Sequence, residues 1–434
     1  MVPGTTDPDG IAGEPASASP PLEKLVAGLA CLALGASVSL IQGITPGLVV
    51  AVLLLPVWAG SLWLPLAGRW YALVGLAAVV SGILLTWGNS VDHATNAALL
   101  RANVFTILTL VGTVGVIVWA RRSLADRDVA LLFALGFLAA AVTKPGGTNP
   151  WKFQFSVAVV MVVLALCLRQ GSRLLELLCT LGLALVSVLN DSRSLAAMLL
   201  MVASLIAWQG MRTSVRLRST VVTTTVQLGL VALAIYSGMQ AMLLDGYLGE
   251  TAQERTQMQI DMTGSLIVGG RPESGATTAL LQANPFGVGA GTLVNLSDLN
   301  TARAGMEGLN YNTLHNGYVE RFMFGFGYEV HSFVGNLWLR YGLAGVVFAL
   351  MGLGIMLLWI VRRLATNTAP ALFVYLIATS VWDFFFSPVF YSSVATLALA
   401  VGLALADSAR SRSAPRGEPR IHPADRLPIE DSAV

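Results

Sequence analysis

The chain has 434 residues and a formal net charge of +2, with 55% hydrophobic and only 12% charged residues. Soluble domains carry about 25% charged residues, so this composition excludes an ordinary soluble protein. No nucleic-acid partner is expected. The three cysteines (Cys31, Cys167 and Cys179) lie inside apolar runs with no metal-ligand spacing between them. The sequence therefore predicts neither a metal site nor a disulfide framework.

Apolar runs of membrane-spanning length recur along the chain, and they predict an all-α integral membrane protein. We expect about twelve transmembrane helices, nine in residues 23–243 and three in 335–406. Residues 1–22 and 407–434 are predicted to be disordered cytoplasmic tails. The first twenty residues are rich in Pro, Gly, Ala and Ser, and they lack the basic stretch of a signal peptide. The predicted spans are 25–43, 46–67, 70–87, 105–120, 129–143, 153–168, 174–190, 194–211, 220–243, 335–361, 369–386 and 389–406.

Arginines cluster in alternate loops, which predicts the orientation of the chain. With a cytoplasmic N-terminus, the inside loops contain eleven arginines, for example Arg121, Arg122, Arg212 and Arg216, and the C-terminal tail is also basic. The short outside loops contain only Arg101, Lys144, Lys152 and Arg193. Both termini are therefore predicted to be cytoplasmic, in a multi-pass protein of the plasma (inner) membrane.

One long segment, residues 244–334, separates the ninth and tenth predicted spans. Loops of this length are usually functional or disordered. A helix-like stretch at 273–284 and a glycine-rich turn at 287–291 favour an ordered extracytoplasmic loop. The turn lacks the Gly-Lys-Ser/Thr of a nucleotide-binding loop, so it does not indicate nucleotide binding.

Two arginines of the predicted outer face could bind phosphate, since a guanidinium group is permanently charged and carries forked donors. Arg193 lies between two spans, where the positive-inside rule disfavours arginine, and pairing with Asp191 is the structural alternative. Arg271 precedes the predicted helix, and pairing with Glu273 is its alternative.

His331 lies where the long loop meets the tenth span, and a neutral imidazole there could act as a general base. His315, sixteen residues earlier, competes for the same role. The two histidines lack a clustered third ligand, which argues against zinc.

These residues together resemble the superfamily of O-antigen ligases and polysaccharide polymerases. His331-Ser332, nine residues and then Gly342-Leu343-Ala344-Gly345 are similar to its signature of His, a small polar residue, nine residues and Gly-x-x-Gly. Ser192-Arg193 resembles its Ser-Arg segment, although Ser194 stands where glycine is usual. Arg271 with Asn284 to Gly289 resembles its Arg…Pro-x-x-Gly-x-Gly stretch. Arg340 occupies a position that is commonly acidic.

The resemblance implies a membrane glycosyltransferase with a polyprenyl (undecaprenyl) diphosphate-linked glycan as donor and a glycolipid or glycan hydroxyl as acceptor. His331 would be the general base, and Arg193 and Arg271 would bind the diphosphate. His315, Arg340 and Ser192 are possible supporting residues. Transfer would invert the anomeric configuration and need neither metal nor cofactor.

Ligase activity is placed first because the His-Ser-x9-Gly-x-x-Gly spacing fits its pattern, with polysaccharide polymerase as the alternative. A lipid-linked glycan transporter or flippase is a more distant alternative, for which Asp383 would be a candidate charge in the membrane. A cell-wall synthase of the shape and division type would usually have ten spans. A structural scaffold would leave the outer arginines unexplained.

Overall fold

The computed structural model describes residues 20–413, except residues 42, 144–146, 216–219, 248, 314–316 and 326. Within these limits the protein is all-helical, and its only β contacts are two isolated bridges. Two π-helical turns, Trp151–Phe155 and Val319–Met323, accompany the α-helices. The helices are α1 (Pro21–Gly35), α2 (Pro46–Leu53), α3 (Leu55–Trp63), α4 (Leu66–Gly88), α5 (Ala97–Ala120), α6 (Asp126–Val142), α7 (Ser156–Gln170), α8 (Arg173–Leu189), α9 (Arg193–Val215), α10 (Val221–Leu244), α11 (Glu250–Thr263), α12 (Leu266–Gly269), α13 (Glu273–Ala283), α14 (Leu296–Glu307), α15 (Phe333–Ala365), α16 (Ala371–Phe386) and α17 (Tyr391–Ser413).

Six helices of the described residues are long and apolar enough to cross a membrane, which indicates a membrane protein. They are α4, α5, α7 with its preceding π-helical turn, α9, α10 and α15. The bent pair α2 and α3 raises the number to seven if it forms one span. The other predicted spans coincide with shorter apolar stretches, such as α1, α6, α8 and α16, which have 15 to 17 residues.

Several predicted boundaries differ from the helices, and α5, for example, begins at Ala97 rather than at 105. α1 begins at Pro21, inside the predicted tail, because proline is well suited to the first helical turn, and it ends at Gly35. The predicted span 46–67 is bent by 83° between α2 and α3, where Pro56 lies in the first turn of α3. α17 continues to Ser413, beyond the predicted end at 406. Residues 1–19 and 414–434 of the predicted tails lie outside the described residues.

The core of the helical bundle surrounds α5. Every residue from Leu110 to Ala120 is buried, because α1, α2, α3, α4 and α17 all pack against this helix. A helix that is apolar and buried on all sides belongs in the centre of a bundle. Several close approaches use small residues, as where Gly112 of α5 meets Ala51 of α2.

Residues 245–332 contain α11 to α14 and have a small apolar core of their own. α13 covers Glu273–Ala283, which confirms the predicted helix at 273–284. The apolar core of residues 245–332 includes Leu280, Met306, Val319 and Tyr328. The segment is attached to the α4–α5 turn, where Nε2 of His93 lies 3.0 Å from the Asp298 carboxylate. It thereby sits over one end of the bundle and positions the site described next.

α15 is broken at Gly342, where φ is 61° and ψ is −150°. The Leu339 carbonyl, three residues before the break, accepts from the backbone N–H groups of Val288 and Gly289 at 2.7 and 3.0 Å. Ser81 of α4 donates to the Tyr341 carbonyl at 2.8 Å. The predicted glycine-rich turn therefore provides backbone hydrogen bonds to α15 next to its break.

Candidate functional site

His331 lies immediately before α15, in a backbone conformation that is unusual for histidine. Its φ is 53°, in the left-handed region that residues with a Cβ seldom adopt. Both neighbours are fixed: the Val330 carbonyl accepts from Thr277, and Ser332 caps α15 by accepting from the N–H of Gly335. The Ser332 hydroxyl also donates to the Phe384 carbonyl of α16. The surrounding structure thus imposes the conformation that orients the imidazole.

The hydrogen bonding of His331 defines its proton positions. Nδ1 lies 3.0 Å from the Glu329 carbonyl oxygen. Because a carbonyl can only accept, Nδ1 carries the proton, and in the neutral ring Nε2 is the free acceptor. The ring of Tyr318 packs beside the imidazole, with 6.2 Å between ring centroids.

Tyr318 connects His331 to the beginning of α13. Its hydroxyl donates to Glu273, the buried first residue of that helix. Burial, and then the neighbouring Glu273 carboxylate, raise the pKa of Tyr318 well above its ordinary value. The hydroxyl therefore remains protonated and continues to donate at physiological pH.

Arg271 lies two residues before Glu273 and points to α16. Its guanidinium carbon is 5.6 Å from the centroid of the Trp382 ring. A cation in this position is attracted by the negative face of the ring. Glu273, the alternative partner of Arg271, accepts from Tyr318 through Oε1, and its Oε2 has no hydrogen-bond partner among the described residues.

Arg193, the first residue of α9, belongs to a charged cluster with Asp191 and Lys152. Its Nε donates to Asp191 at 3.1 Å, and Lys152 Nζ lies 3.3 Å from the other Asp191 oxygen. Burial alone would raise the pKa of Asp191, but Lys152 and Arg193 together lower it. The carboxylate therefore stays ionised and holds both cations at one place.

Lys152, Arg271 and the residues flanking Arg193 meet around a cavity of about 310 Å³, which we call the cationic cavity. His331 and Tyr318 are not among its lining residues. Lys152 and Arg271 supply its positive charges, and Asp383 is the one acid among its lining residues. Ser192 and Ser194 line it on either side of Arg193, which is not itself a lining residue. The remaining lining residues are Phe153, Ser156, Val157, Leu195, Met198, Tyr375, Thr379, Trp382, Ser387, Phe390, Ser392, Ser393 and Thr396.

A second cavity of about 520 Å³, the hydroxyl cavity, adjoins the first and shares Phe153, Phe390 and Ser392 with it. Arg340 and Glu329 both line this second cavity and form a partly buried ion pair. Arg340 therefore does not support the cationic cavity as a lining residue. The rest of the lining is Gly43, Thr45, Leu99, Ala102, Asn103, Thr106, Thr109, Val389 and Val394.

Contacts link most of the residues that the sequence singled out. His331 contacts Tyr318, Tyr318 bonds to the residue beside Arg271, and Arg271 shares a cavity with the serines that flank Arg193. His315 lies outside the described residues. Sequence reasoning gave no role to Lys152 or Tyr318 and considered Asp383 only for transport. Lys152, like Arg193, lies in a predicted outside loop, where basic residues are disfavoured. This position was the signal from which the sequence could have identified Lys152 as a site residue.

Among the described residues, no group of three or more His, Cys, Asp or Glu side chains is arranged to hold a metal ion. The cations of the site are the side chains Lys152, Arg193 and Arg271. Such an arrangement suits an anionic ligand with two or more oxygen acceptors, because charged N–H donors make short, strong hydrogen bonds to phosphate.

No protein-family model matches the chain, and no curated protein or solved structure matches it either.

Proposed function

We propose that the protein is a membrane glycosyltransferase. It transfers a glycan from a polyprenyl diphosphate to an acceptor hydroxyl, in the manner of an O-antigen ligase. The observation that carries this proposal is the convergence of Arg271, Lys152 and the Arg193 loop on one cavity. Contacts through Tyr318 and Glu273 connect His331 to the segment that carries Arg271. The resemblance of the three sequence motifs supports the same activity.

The positive side chains fit the leaving group of this reaction. As the bond between the anomeric carbon and the phosphate oxygen breaks, negative charge accumulates on the diphosphate. Fixed cations in a partly enclosed cavity stabilise such developing charge without rearrangement. The side chains supply this charge themselves, so the proposed transfer requires no metal.

The free Nε2 of His331 fits the other half of the reaction. It accepts the proton of the acceptor hydroxyl while that oxygen bonds to the anomeric carbon from the face opposite the diphosphate. The products are the inverted glycoside, the polyprenyl diphosphate and a protonated imidazole, which then returns its proton to solvent. Tyr318 and the Glu329 carbonyl keep the ring in position.

The proposal also includes the number of membrane spans and the orientation of the chain in the membrane. Twelve spans, with the shorter helices crossing together with the six long ones, would place both termini in the cytoplasm of a cell with a plasma (inner) membrane. Residues 244–334 would then lie on the outer face, above the site. The charge distribution of the loops supports this orientation.

A polymerase would use the same donor and the same residues, with a second repeat unit as acceptor. Transport is less well supported. Broken helices are typical of transporters, in which the exposed backbone binds substrate. The broken backbone of α15 is instead occupied by protein N–H groups from Val288 and Gly289.

The test is transfer by purified protein, given a lipid extract from the source strain lacking this gene as donor and acceptor. Arg271→Ala and His331→Ala should each reduce the rate about 100-fold, in line with loss of an oxyanion donor or a general base. Arg193→Ala should reduce it at least roughly tenfold, because it removes one of three cations.

Arg303→Ala is the matched control, since Arg303 lies in the same segment as Arg271 but pairs with Glu320 and lines neither cavity. It should retain transfer within about twofold of wild type, as expected for loss of an exposed ion pair. Full transfer by both Arg271→Ala and His331→Ala would refute the proposal, as would no transfer by the wild-type protein.

A further inference from the structure

We propose that the hydroxyl cavity binds the sugar of the acceptor and delivers its hydroxyl to His331. The inference rests on the proposed transferase function and names the second substrate site. A transferase needs two such sites that meet at the reacting atoms. The two cavities meet at Phe153, Phe390 and Ser392.

The lining of the hydroxyl cavity suits an uncharged, hydroxylated ligand. Its lining residues include four with hydroxyl side chains (Thr45, Thr106, Thr109 and Ser392) and Asn103, which has an amide side chain. Hydroxyl and amide groups both donate and accept, as the hydroxyls of a sugar also do. The phenyl rings of Phe153 and Phe390 at the shared boundary offer flat apolar surfaces to a sugar ring.

Thr109 provides the most direct indication of a ligand. Its Oγ1 is buried and has no hydrogen-bond partner in the structure, although it belongs to a residue that lines the cavity. A buried polar atom without a partner carries a free-energy penalty that a ligand hydroxyl would remove. The hydroxyls of Thr45 and Thr106 are already engaged with backbone groups of their own helices.

The charges distinguish the two cavities. In the cationic cavity Lys152 and Arg271 outnumber Asp383. In the hydroxyl cavity the single cation, Arg340, is neutralised by the Glu329 carboxylate, which also accepts from Asn336. A diphosphate therefore prefers the cationic cavity, and a neutral glycan has no such preference.

His331 lines neither cavity, but contacts connect it to residues near both. Its Nδ1 bonds to the carbonyl of Glu329, whose side chain lines the hydroxyl cavity. Its ring packs on Tyr318, which bonds to Glu273 near Arg271 of the cationic cavity. Contacts therefore join the proposed base to Glu329 of the hydroxyl cavity and, through Tyr318 and Glu273, to the segment that carries Arg271.

A third cavity of about 630 Å³ extends this path. It shares Gly43, Leu99 and Ala102 with the hydroxyl cavity and is also lined by residues 293, 294, 324, 325 and 327 of the segment above the bundle. An acceptor glycan longer than one sugar could therefore continue beneath that segment. The acceptor class that fits is an oligosaccharide, carried on a lipid or on a repeat unit.

Two substitutions on α5 test the inference. Thr109→Trp fills the hydroxyl cavity and should lower product at least tenfold, while the Kd for undecaprenyl diphosphate stays within twofold of wild type. Thr109→Val keeps the shape and removes the hydroxyl. It should raise the half-saturating amount of a glycolipid extract from the deletion strain, dosed by hexose content, by about fivefold, as expected for one lost hydrogen bond.

Thr113→Val is the matched control, because Thr113 is a buried threonine of the same helix that does not line the cavity. It should leave both the acceptor and the donor dependence unchanged. The inference is wrong if Thr109→Trp retains full product, if it loses undecaprenyl diphosphate binding, or if Thr109→Val behaves like Thr113→Val. Inactive Arg271→Ala and His331→Ala variants would show in each case that the transferase function itself still stands.

Discussion

At the scale of single residues, the site depends on side chains that hold His331 rather than on His331 alone. The left-handed backbone at this residue persists because Thr277, Ser332 and Asn336 fix the backbone groups on either side. Tyr318 packs on the ring and also bonds to Glu273, so one side chain joins the proposed base to the helix that follows Arg271.

Tyr318→Phe tests this connection. The substitution keeps the ring beside His331 but removes the donor to Glu273, a residue only 5% exposed whose Oε2 already lacks a partner. We expect a loss of about 1–3 kcal/mol in the free energy of unfolding, the cost of leaving a buried acceptor unsatisfied. Thermal or denaturant unfolding in detergent would measure it.

Tyr247→Phe is the control, because Tyr247 is exposed and lies in the turn after α10. It should leave stability unchanged. Equal stability of the two variants would mean that the bond between Tyr318 and Glu273 contributes nothing measurable.

The sequence predicted part of this arrangement at the residue scale. Ser332 was identified as the small polar partner of His331, and the structure gives it the role of helix cap. The stacking of Arg271 on Trp382 was not predictable, because the two residues are far apart in sequence and no local periodicity relates them. The same applies to the approach of Lys152 to Asp191.

At the scale of elements, the break in α15 and the glycine-rich turn form one unit. Gly342 has the backbone conformation that only glycine adopts readily, and a Cβ there would lie 2.6 Å from the Phe286 carbonyl oxygen. At Gly289, where φ is 114°, a Cβ would lie 2.4 Å from the backbone nitrogen of Thr86 in α4. The two motif segments therefore contact each other and the bundle.

Gly342→Ala should destabilise the protein by about 3 kcal/mol or more, because it combines backbone strain with a clash against backbone. Gly354→Ala is the matched control on the same helix, since a Cβ there meets nothing within 4 Å. It should be neutral or stabilise by up to about 1 kcal/mol. Denaturant unfolding of both variants would measure the two changes. Similar free energies of unfolding would contradict the requirement for glycine at the break in α15.

The sequence predicted the glycine-rich turn at 287–291, the Gly342 motif and the helix at 273–284. It did not predict that the turn packs against α15 at Gly342. Docking requires N–H groups of the turn to reach a carbonyl about fifty residues later, which hydropathy and spacing do not encode. The bend between α2 and α3 was missed for a different reason. Its apolar residues continue through the bend, so hydropathy alone showed one span.

At the scale of the whole molecule, the helical fold and its membrane character followed from composition, since apolar runs of sufficient length must be helical in lipid. The number of spans did not follow, because several apolar helices have only 15 to 17 residues. The proposed orientation depends on loop charges, which report the side of each loop without fixing the number of crossings.

Reporter fusions test the orientation. Alkaline phosphatase fused after Gly264 should be active, because the reporter folds only outside the cytoplasm, whereas fusions after Arg122 and at the C-terminus should be inactive. This pattern follows from the arginine-rich loops remaining inside. An active C-terminal fusion, or an inactive one at Gly264, would overturn the topology.

The most direct test of the central claim is a cryo-EM structure of the protein in lipid nanodiscs with an undecaprenyl diphosphate-linked glycan bound to the His331→Ala variant, which should trap the donor. The diphosphate should lie in the cationic cavity, within hydrogen-bond distance of Arg271 and Lys152, with its anomeric carbon facing residue 331. A diphosphate bound elsewhere, with the cationic cavity empty, would contradict the account.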